Sequence, residues 1–107
     1  RLTNVMRQVP DLKVIAAHFG GYMAWKKVMD LEITENLRLD TSSSLPIIDR
    51  DEALRLLDHF GIDRFFFGTD FPMWDPVKEL ARFHALGLSE EEEDKILHKN
   101  FEEFFHL

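Results

Sequence analysis

The sequence contains no cysteine, which removes three chemistries at once: a disulfide framework, a thiolate metal site and a cysteine nucleophile. A reducing compartment fits that absence, and a cytoplasmic protein is the expectation. Basic residues are also scarce. Thirteen Lys and Arg stand against twenty Asp and Glu, giving a formal charge of −7 and a pI near 5.1, so no cationic face is at hand to bind nucleic-acid phosphates. No apolar run approaches the ~18 residues of a membrane span, and no charged-then-apolar leader opens the chain, so no membrane partner is expected. The sequence also lacks Gly-x-Gly-x-x-Gly, the phosphate loop, His-Glu-x-x-His and Gly-x-Ser-x-Gly. With them go the common local signatures of nucleotide, metalloprotease and esterase chemistry.

What is present is apolar material: 45% of 107 residues, ten of them Phe. That suffices for the core of one small domain or of a single partial domain over 1–107. The chain opens on Arg1 with a helix of about two turns, which leads us to expect a portion of a larger protein. The run Glu90–Asp94 holds five of the twenty acids, where they suit the positive end of a helix dipole.

The organising stretch is Arg64-Phe65-Phe66-Phe67-Gly68-Thr69-Asp70-Phe71-Pro72. Three consecutive phenylalanines predict a strand buried on both faces, because a half-wet strand would alternate. Gly68 then permits a sharp turn, Asp70 presents a carboxylate just past the strand end, and Pro72 stops the ladder. Two other strands are expected, over 12–17 and 36–41, the latter with Leu37 and Leu39 alternating with Arg38 and Asp40. Between the strands, helices are expected over 2–8, over 22–31, and from Asp49 onward. The Asp49 helix has capping-box spacing to Glu52, an apolar stripe of Ala53, Leu56, Leu57 and Phe60, and Gly61 in the left-handed position at its end. Asp75 with Pro76 predicts a helix stopping at Gly87, and a Ser89–Glu92 box opens a last helix running to Phe105. Strand plus helix recurs at about 25 residues, the unit of a (β/α) barrel of roughly 250. The fold class is therefore α/β with three parallel strands, whose two bare edges are expected to pair with a copy of the chain or with the rest of a barrel.

Chemistry collects where parallel strands end. His18, Asp40 and Asp70 fall at three successive carboxyl ends. An imidazole and a carboxylate there could share a divalent ion, or the His could act as a general base beside one. The plainer alternatives are that His18 only hydrogen-bonds at a crowded strand end and that Asp70 only caps a helix or fixes its turn. Ser42, within the polar run 42–44, could bind a substrate, and Phe71 and Trp74 could wall its pocket. Equally, the serines form a loop and the aromatics belong to the core. His59, His84, His98 and His106 lie near helix ends and read as structural or solvated.

The succession Pro10-Asp11-Leu12-Lys13-Val14-Ile15-Ala16-Ala17-His18-Phe19-Gly20-Gly21, then Leu39-Asp40-Thr41-Ser42, then Phe66-Phe67-Gly68-Thr69-Asp70-Phe71-Pro72, then Ile96-Leu97 and Asn100, resembles the last part of an amidohydrolase-related protein. That family comprises metal-dependent hydrolases and decarboxylases on a TIM barrel, aminocarboxymuconate-semialdehyde decarboxylase among them. The resemblance covers nearly the whole chain and implies the C-terminal portion of a TIM (β/α)8 barrel, with strands similar to the sixth, seventh and eighth. It implies that His18 matches a histidine acting beside the metal as base or substrate-polarising group, and in some members contacting the ion. Asp70 matches a metal-ligating aspartate that also orients the attacking water. The implied cofactor is a divalent ion, zinc first and manganese as alternative, and the implied partner a small-molecule substrate. The family's remaining ligands, a His-x-His pair and a further histidine on earlier strands, have no counterpart here. Hence the complete protein is expected to be a hydrolase, with non-oxidative decarboxylation as alternative, while this chain alone is expected to bind no metal tightly and to be inactive. A non-catalytic α/β module that oligomerises through its edge strands is the third reading.

Overall fold

The computed structural model describes residues 1–107. Three short parallel strands, β1 (Val14–Ala16), β2 (Leu37–Asp40) and β3 (Phe65–Phe66), lie side by side in sequence order. Ile15 pairs with Arg38, Ala16 with Leu39, Leu39 with Phe65 and Asp40 with Phe66. Since side chains alternate along a strand, Ala16, Leu39 and Phe65 share one face, and Ile15, Arg38, Asp40 and Phe66 the other. Helix α1 (Leu2–Gln8) precedes β1, and α2 (Trp25–Val28) joins it to β2.

Helices α3 (Arg50–Phe60) and α4 (Pro76–His84) cover the first face. The Phe65 ring meets Phe19 at 5.4 Å and Phe60 at 6.5 Å, and Phe67 meets Phe83 at 5.4 Å. Leu37, Leu39 and Phe65 are wholly buried here, each contributing about 2 kcal/mol by leaving water. The second face is closed by the last helical run: α5 (Glu90–Asp94), a π turn (Lys95–Lys99) and α6 (Asn100–Phe104). Phe66 sits among Phe101, Phe104 and Phe105 at 5.4, 5.8 and 6.5 Å. The Arg38 guanidinium lies 4.3 Å above the Phe104 ring, and burial, followed by the neighbouring Arg64 charge, lowers its pKa from the ordinary arginine value. Strand β3 is thus buried on both faces, as its phenylalanines predict. Strand β1 is not: Ile15 is 40% exposed, because α6 reaches only Lys13, whose Nζ donates to the Phe104 carbonyl at 2.6 Å.

Several expected boundaries move. Arg64 belongs to a 3-10 turn (Ile62–Arg64), and the Phe67 amide donates to the Ile96 carbonyl of the π turn at 2.9 Å rather than to a strand, so β3 shrinks to two residues. The helix expected over 22–31 is a single turn, delayed by the Gly20-Gly21 turn and by left-handed Met23. Asp49 occupies the N-cap of α3 but its side chain makes no cap bond; the buried stripe Ala53, Leu56, Leu57 and Phe60 suffices to hold the helix. Gly61 ends it at φ 96°, ψ 138°, a positive φ but not the left-handed helical pair expected. Where capping is purely local it forms as predicted: Asp75 accepts from the Val77 amide, and Ser89 and Glu92 make their reciprocal pair.

The amino end of the sheet is stitched together. Asn100 Nδ2 donates to the carbonyls of Ile62 and Phe65 at 2.8 and 3.0 Å, Arg64 donates to those of Thr34 and Leu37 at 2.5 and 3.0 Å, and Lys95 pairs with Asp63 at 3.2 Å. The carboxyl end is left to loops. No helix of the chain is long and apolar enough to cross a membrane.

Candidate functional site

Three loops leave the carboxyl ends of the strands and meet. The first turns at His18–Gly20, the second carries Thr41, Ser42, Ser43 and Ser44, all buried, and the third runs from Gly68 through Asp70 to Trp74. Thr41 ties the last two together: its hydroxyl donates to the Gly68 carbonyl and accepts from the Gly68 amide, both at 3.1 Å. A Cβ on Gly68 would lie 3.5 Å from Ser42 Cβ and 3.7 Å from the Asp40 carboxylate, so the third loop already rests against the second.

His18 is half-buried and takes φ 60°. Its amide donates to Asp40 Oδ1 at 3.0 Å, its carbonyl accepts from Trp25 Nε1 at 3.0 Å, and its ring forms a T-shaped pair with Tyr22, centroids 5.7 Å apart. Ring atom Nδ1 lies 2.8 Å from the Ser42 carbonyl oxygen and 2.9 Å from the Ser42 hydroxyl. Asp40 Oδ1 also accepts the Ser42 amide at 3.0 Å and the Ser42 hydroxyl at 2.5 Å. On the other side, Ser43 Oγ donates to Asp70 Oδ2 at 2.6 Å and accepts from Trp74 Nε1 at 3.0 Å. Ser43 and Asp70 also have left-handed backbones, at φ 50° and 60°.

The structure therefore brings His18, Ser42, Asp70 and Trp74 to one rim, His18 through Ser42 and Asp70 through the adjacent Ser43. Phe71 does not join them: it is 73% exposed and walls no pocket, because the loop turns at Asp70 and points it outward. Sequence reasoning placed Asp40 at a strand end without assigning it a role, and read Ser43 as part of a loop. Both prove to be the hydrogen-bonding centres of the rim. The only signal was a polar run straight after an Asp at a strand end. The remaining histidines stay away from the rim, with His84 paired to Glu93 and His98 to Glu102.

Three atoms able to ligate a cation remain unengaged by the protein: His18 Nε2, Asp70 Oδ1 and Asp40 Oδ2, since all the bonds to Asp40 fall on Oδ1. A ring whose other nitrogen is held by a backbone oxygen, and a carboxylate whose other oxygen is held by a hydroxyl, are what first-row divalent ions select. The donor types thus fit a metal, but the number does not complete one: no three His, Asp or Glu side chains converge to hold an ion. The rim is also one-sided. A cleft of about 510 Å³ lies elsewhere, at the amino end between Lys13, Asn36, Arg38 and Glu103.

No curated protein matches the sequence. Solved structures do. An uncharacterized TIM-barrel protein from Bordetella bronchiseptica superposes with a TM-score of 0.82 at 24% identity, over 98% of this chain and 38% of that one. A dihydroxybenzoic acid decarboxylase from Polaromonas sp. JS666, solved with bound manganese and the inhibitor 2-nitroresorcinol, gives 0.75 at 24% identity, over 98% and 37%. A putative 2-pyrone-4,6-dicarboxylic acid hydrolase from Pseudomonas putida gives 0.74 at 18% identity, over 98% and 48%. At such identities the likeness speaks for the fold alone, and the chain spans well under two thirds of each structure's length. The family is carried by the sequence itself, which matches the amidohydrolase description over residues 1–107. By that match over its whole length, the chain belongs to the amidohydrolase family.

Proposed function

We propose that these residues form the last three β/α units, resembling the sixth, seventh and eighth, of a (β/α)8 barrel in a metal-dependent hydrolase, and that His18 and Asp70 belong to its active site. The observation that supports this most is that two of the unengaged atoms, His18 Nε2 and Asp70 Oδ1, belong to side chains fixed to one rim through neighbouring serines. A divalent cation, zinc or manganese, would supply Lewis-acid polarisation of water or of a substrate oxygen when bound. Asp70 would hold it through Oδ1 while Ser43 keeps Oδ2 occupied. His18 would take the proton of the attacking water at Nε2 and return it to the leaving group of a C–N or C–O bond. Ser42 and Trp74 would border a small-molecule substrate. Catalytic zinc sites use three protein ligands; with His18 Nε2 reserved for the proton this chain supplies one, Asp70, so further donors would come from outside these 107 residues and the chain alone would not turn over substrate. The β1 edge, open beside exposed Ile15, would pair with the rest of that barrel or with a second copy.

Non-oxidative decarboxylation is the second reading, favoured by the likeness to the manganese-containing decarboxylase. Protonated His18 would then deliver its proton to the carbon that loses carbon dioxide.

Paramagnetic broadening tests the site without requiring activity or tight binding. Titrating Mn²⁺ into the chain is expected to broaden the side-chain NMR signals of His18 and Asp70 before others, and Asp70→Ala is expected to abolish the effect at His18. Broadening centred elsewhere, or unchanged at His18 in Asp70→Ala, would sink the reading.

A further inference from the structure

We infer that Asp40 is a positioning residue that decides which nitrogen of His18 carries the proton: acting through Ser42, it holds the neutral ring as the Nδ1–H tautomer and leaves the lone pair on Nε2. The tautomer follows from geometry alone; only its use in proton transfer rests on the function proposed above. A carbonyl oxygen can only accept, and that of Ser42 lies 2.8 Å from Nδ1, so a proton belongs between them. The Ser42 hydroxyl, 2.9 Å from Nδ1, has one proton to give. It gives that proton to Asp40 Oδ1 at 2.5 Å, and so presents only lone pairs to the ring. Both neighbours of Nδ1 are then acceptors, and an unprotonated Nδ1 would face two of them with no donor.

Asp40 does more than absorb the hydroxyl proton. The same oxygen takes the His18 amide and the Ser42 amide, each at 3.0 Å, fixing the backbones on both sides of the ring contact. His18 stays in its left-handed conformation with the Trp25 indole on its carbonyl. The tautomer of a histidine is set by the partner of its other nitrogen, and here that partner's own hydrogen bonding is set by a carboxylate from the neighbouring strand.

The variants separate orientation from mere support. Asp40→Ala frees the Ser42 hydroxyl to donate into Nδ1, which drives the ring to Nε2–H. Ser42→Ala alone keeps Nδ1–H through the backbone carbonyl, and adding Ser42→Ala to Asp40→Ala restores Nδ1–H. Asp40→Asn retains the wild-type form because its amide oxygen accepts the same three donors. The readout is the two-bond ¹H–¹⁵N correlation pattern of ¹⁵N-histidine-labelled chain, recorded on the neutral ring at a pH beyond which the pattern no longer changes. Expected is a protonated-type shift at Nδ1 in wild type, its move to Nε2 in Asp40→Ala, and its return in the double variant. A wild-type Nε2–H ring overturns the inference, as does an unchanged pattern in Asp40→Ala or a double variant that stays Nε2–H. Should Asp40→Ala lose its fold by circular dichroism, wild type and Asp40→Asn still test the inference, and Nε2–H in either overturns it. An Nδ1–H ring without Mn²⁺ broadening would leave this inference standing and defeat the metal reading, so the two fail separately.

Discussion

The two ends of the sheet are held in different ways. At the amino end, side chains reach across to backbone carbonyls: Asn100 to Ile62 and Phe65, Arg64 to Thr34 and Leu37, Lys13 to Phe104. Phe66 and Phe104 are buried beneath them, with Phe101 and Phe105 packed on the outside. At the carboxyl end, side chains of Thr41, His18, Asp40, Ser43 and Trp74 tie one loop to the next, and the backbone is under strain. Of the six non-glycine residues with positive φ, His18, Phe19, Met23, Ser43 and Asp70 all lie in the loops that follow strands. Each such conformation costs on the order of 1 kcal/mol or more and persists only where its surroundings enforce it. The difference teaches a division of labour: one end supplies stability that the other end uses to keep side chains in unfavourable but defined positions. Barrel folds divide their ends in the same sense.

The sharpest way to break this comparison is to attack the amino end first. Phe104→Ala removes the ring between Phe66, Arg38 and Lys13 and is expected to cost about 3 kcal/mol, measured as a lowered urea midpoint. A loss under about 1 kcal/mol would mean that the C-terminal helix does not hold the sheet. Asn100→Leu comes next. It strands two buried carbonyls and is expected to cost about 2 kcal/mol by the same measurement.

Lys95 offers a smaller effect confined to alkaline solution. Its hydrogen bond and charge pairing with Asp63 raise its pKa above the ordinary lysine value. A raised value means a contribution fully present below the unfolded lysine pKa of about 10.4, and lost as pH rises through the folded value. The urea midpoints of wild type and Lys95→Met are therefore expected to differ slightly at neutral pH and to converge once the pH has risen through the raised folded value. Divergence at high pH would contradict the pairing.

Smallest of all should be the stability change at the rim. Asp70→Gly loses the Ser43 hydrogen bond, about 1 kcal/mol, and gains a similar amount by releasing left-handed strain, so the midpoint should hardly move. The Mn²⁺ broadening at His18 should vanish all the same. If Asp70→Gly instead unfolds the chain, the carboxyl end is structural and the contrast between the ends fails.

Much of the fold was legible because its signals are local. Alternation at Leu37 and Leu39 marked β2, the Ala53-Leu56-Leu57-Phe60 stripe marked α3, and the Asp75 and Ser89 caps opened their helices where spacing predicted. Boundaries failed where tertiary contacts compete with local preference. The Phe67 amide found a carbonyl on the last helix instead of a strand, and Asp49 left its cap bond unmade because α3 is anchored by its buried face. The rim was half legible. His18, Asp70, Ser42 and Trp74 could be named from their place after strands or in their loops. Phe71 and Trp74 are both aromatics of one loop, and no spacing rule distinguishes the one that anchors Ser43 from the one left in solvent. The burial of Thr41 to Ser44 was equally hidden, since a run of serines after a strand ordinarily reads as a wet loop.

By itself the sequence determined the order of strands and helices, the chemistries excluded by the missing cysteine and motifs, and the end of each strand at which polar groups gather. These are properties of neighbours along the chain, where hydrophobic period and capping act over a few residues. Only the tertiary structure decided that one oxygen of Asp40 governs both His18 and Ser42, and that Ser43 rather than Ser42 serves Asp70. The bonds of Asp40 to His18 and of Ser43 to Asp70 join residues 22 and 27 positions apart, and they form only because three parallel strands settle into one register, which no local pattern specifies.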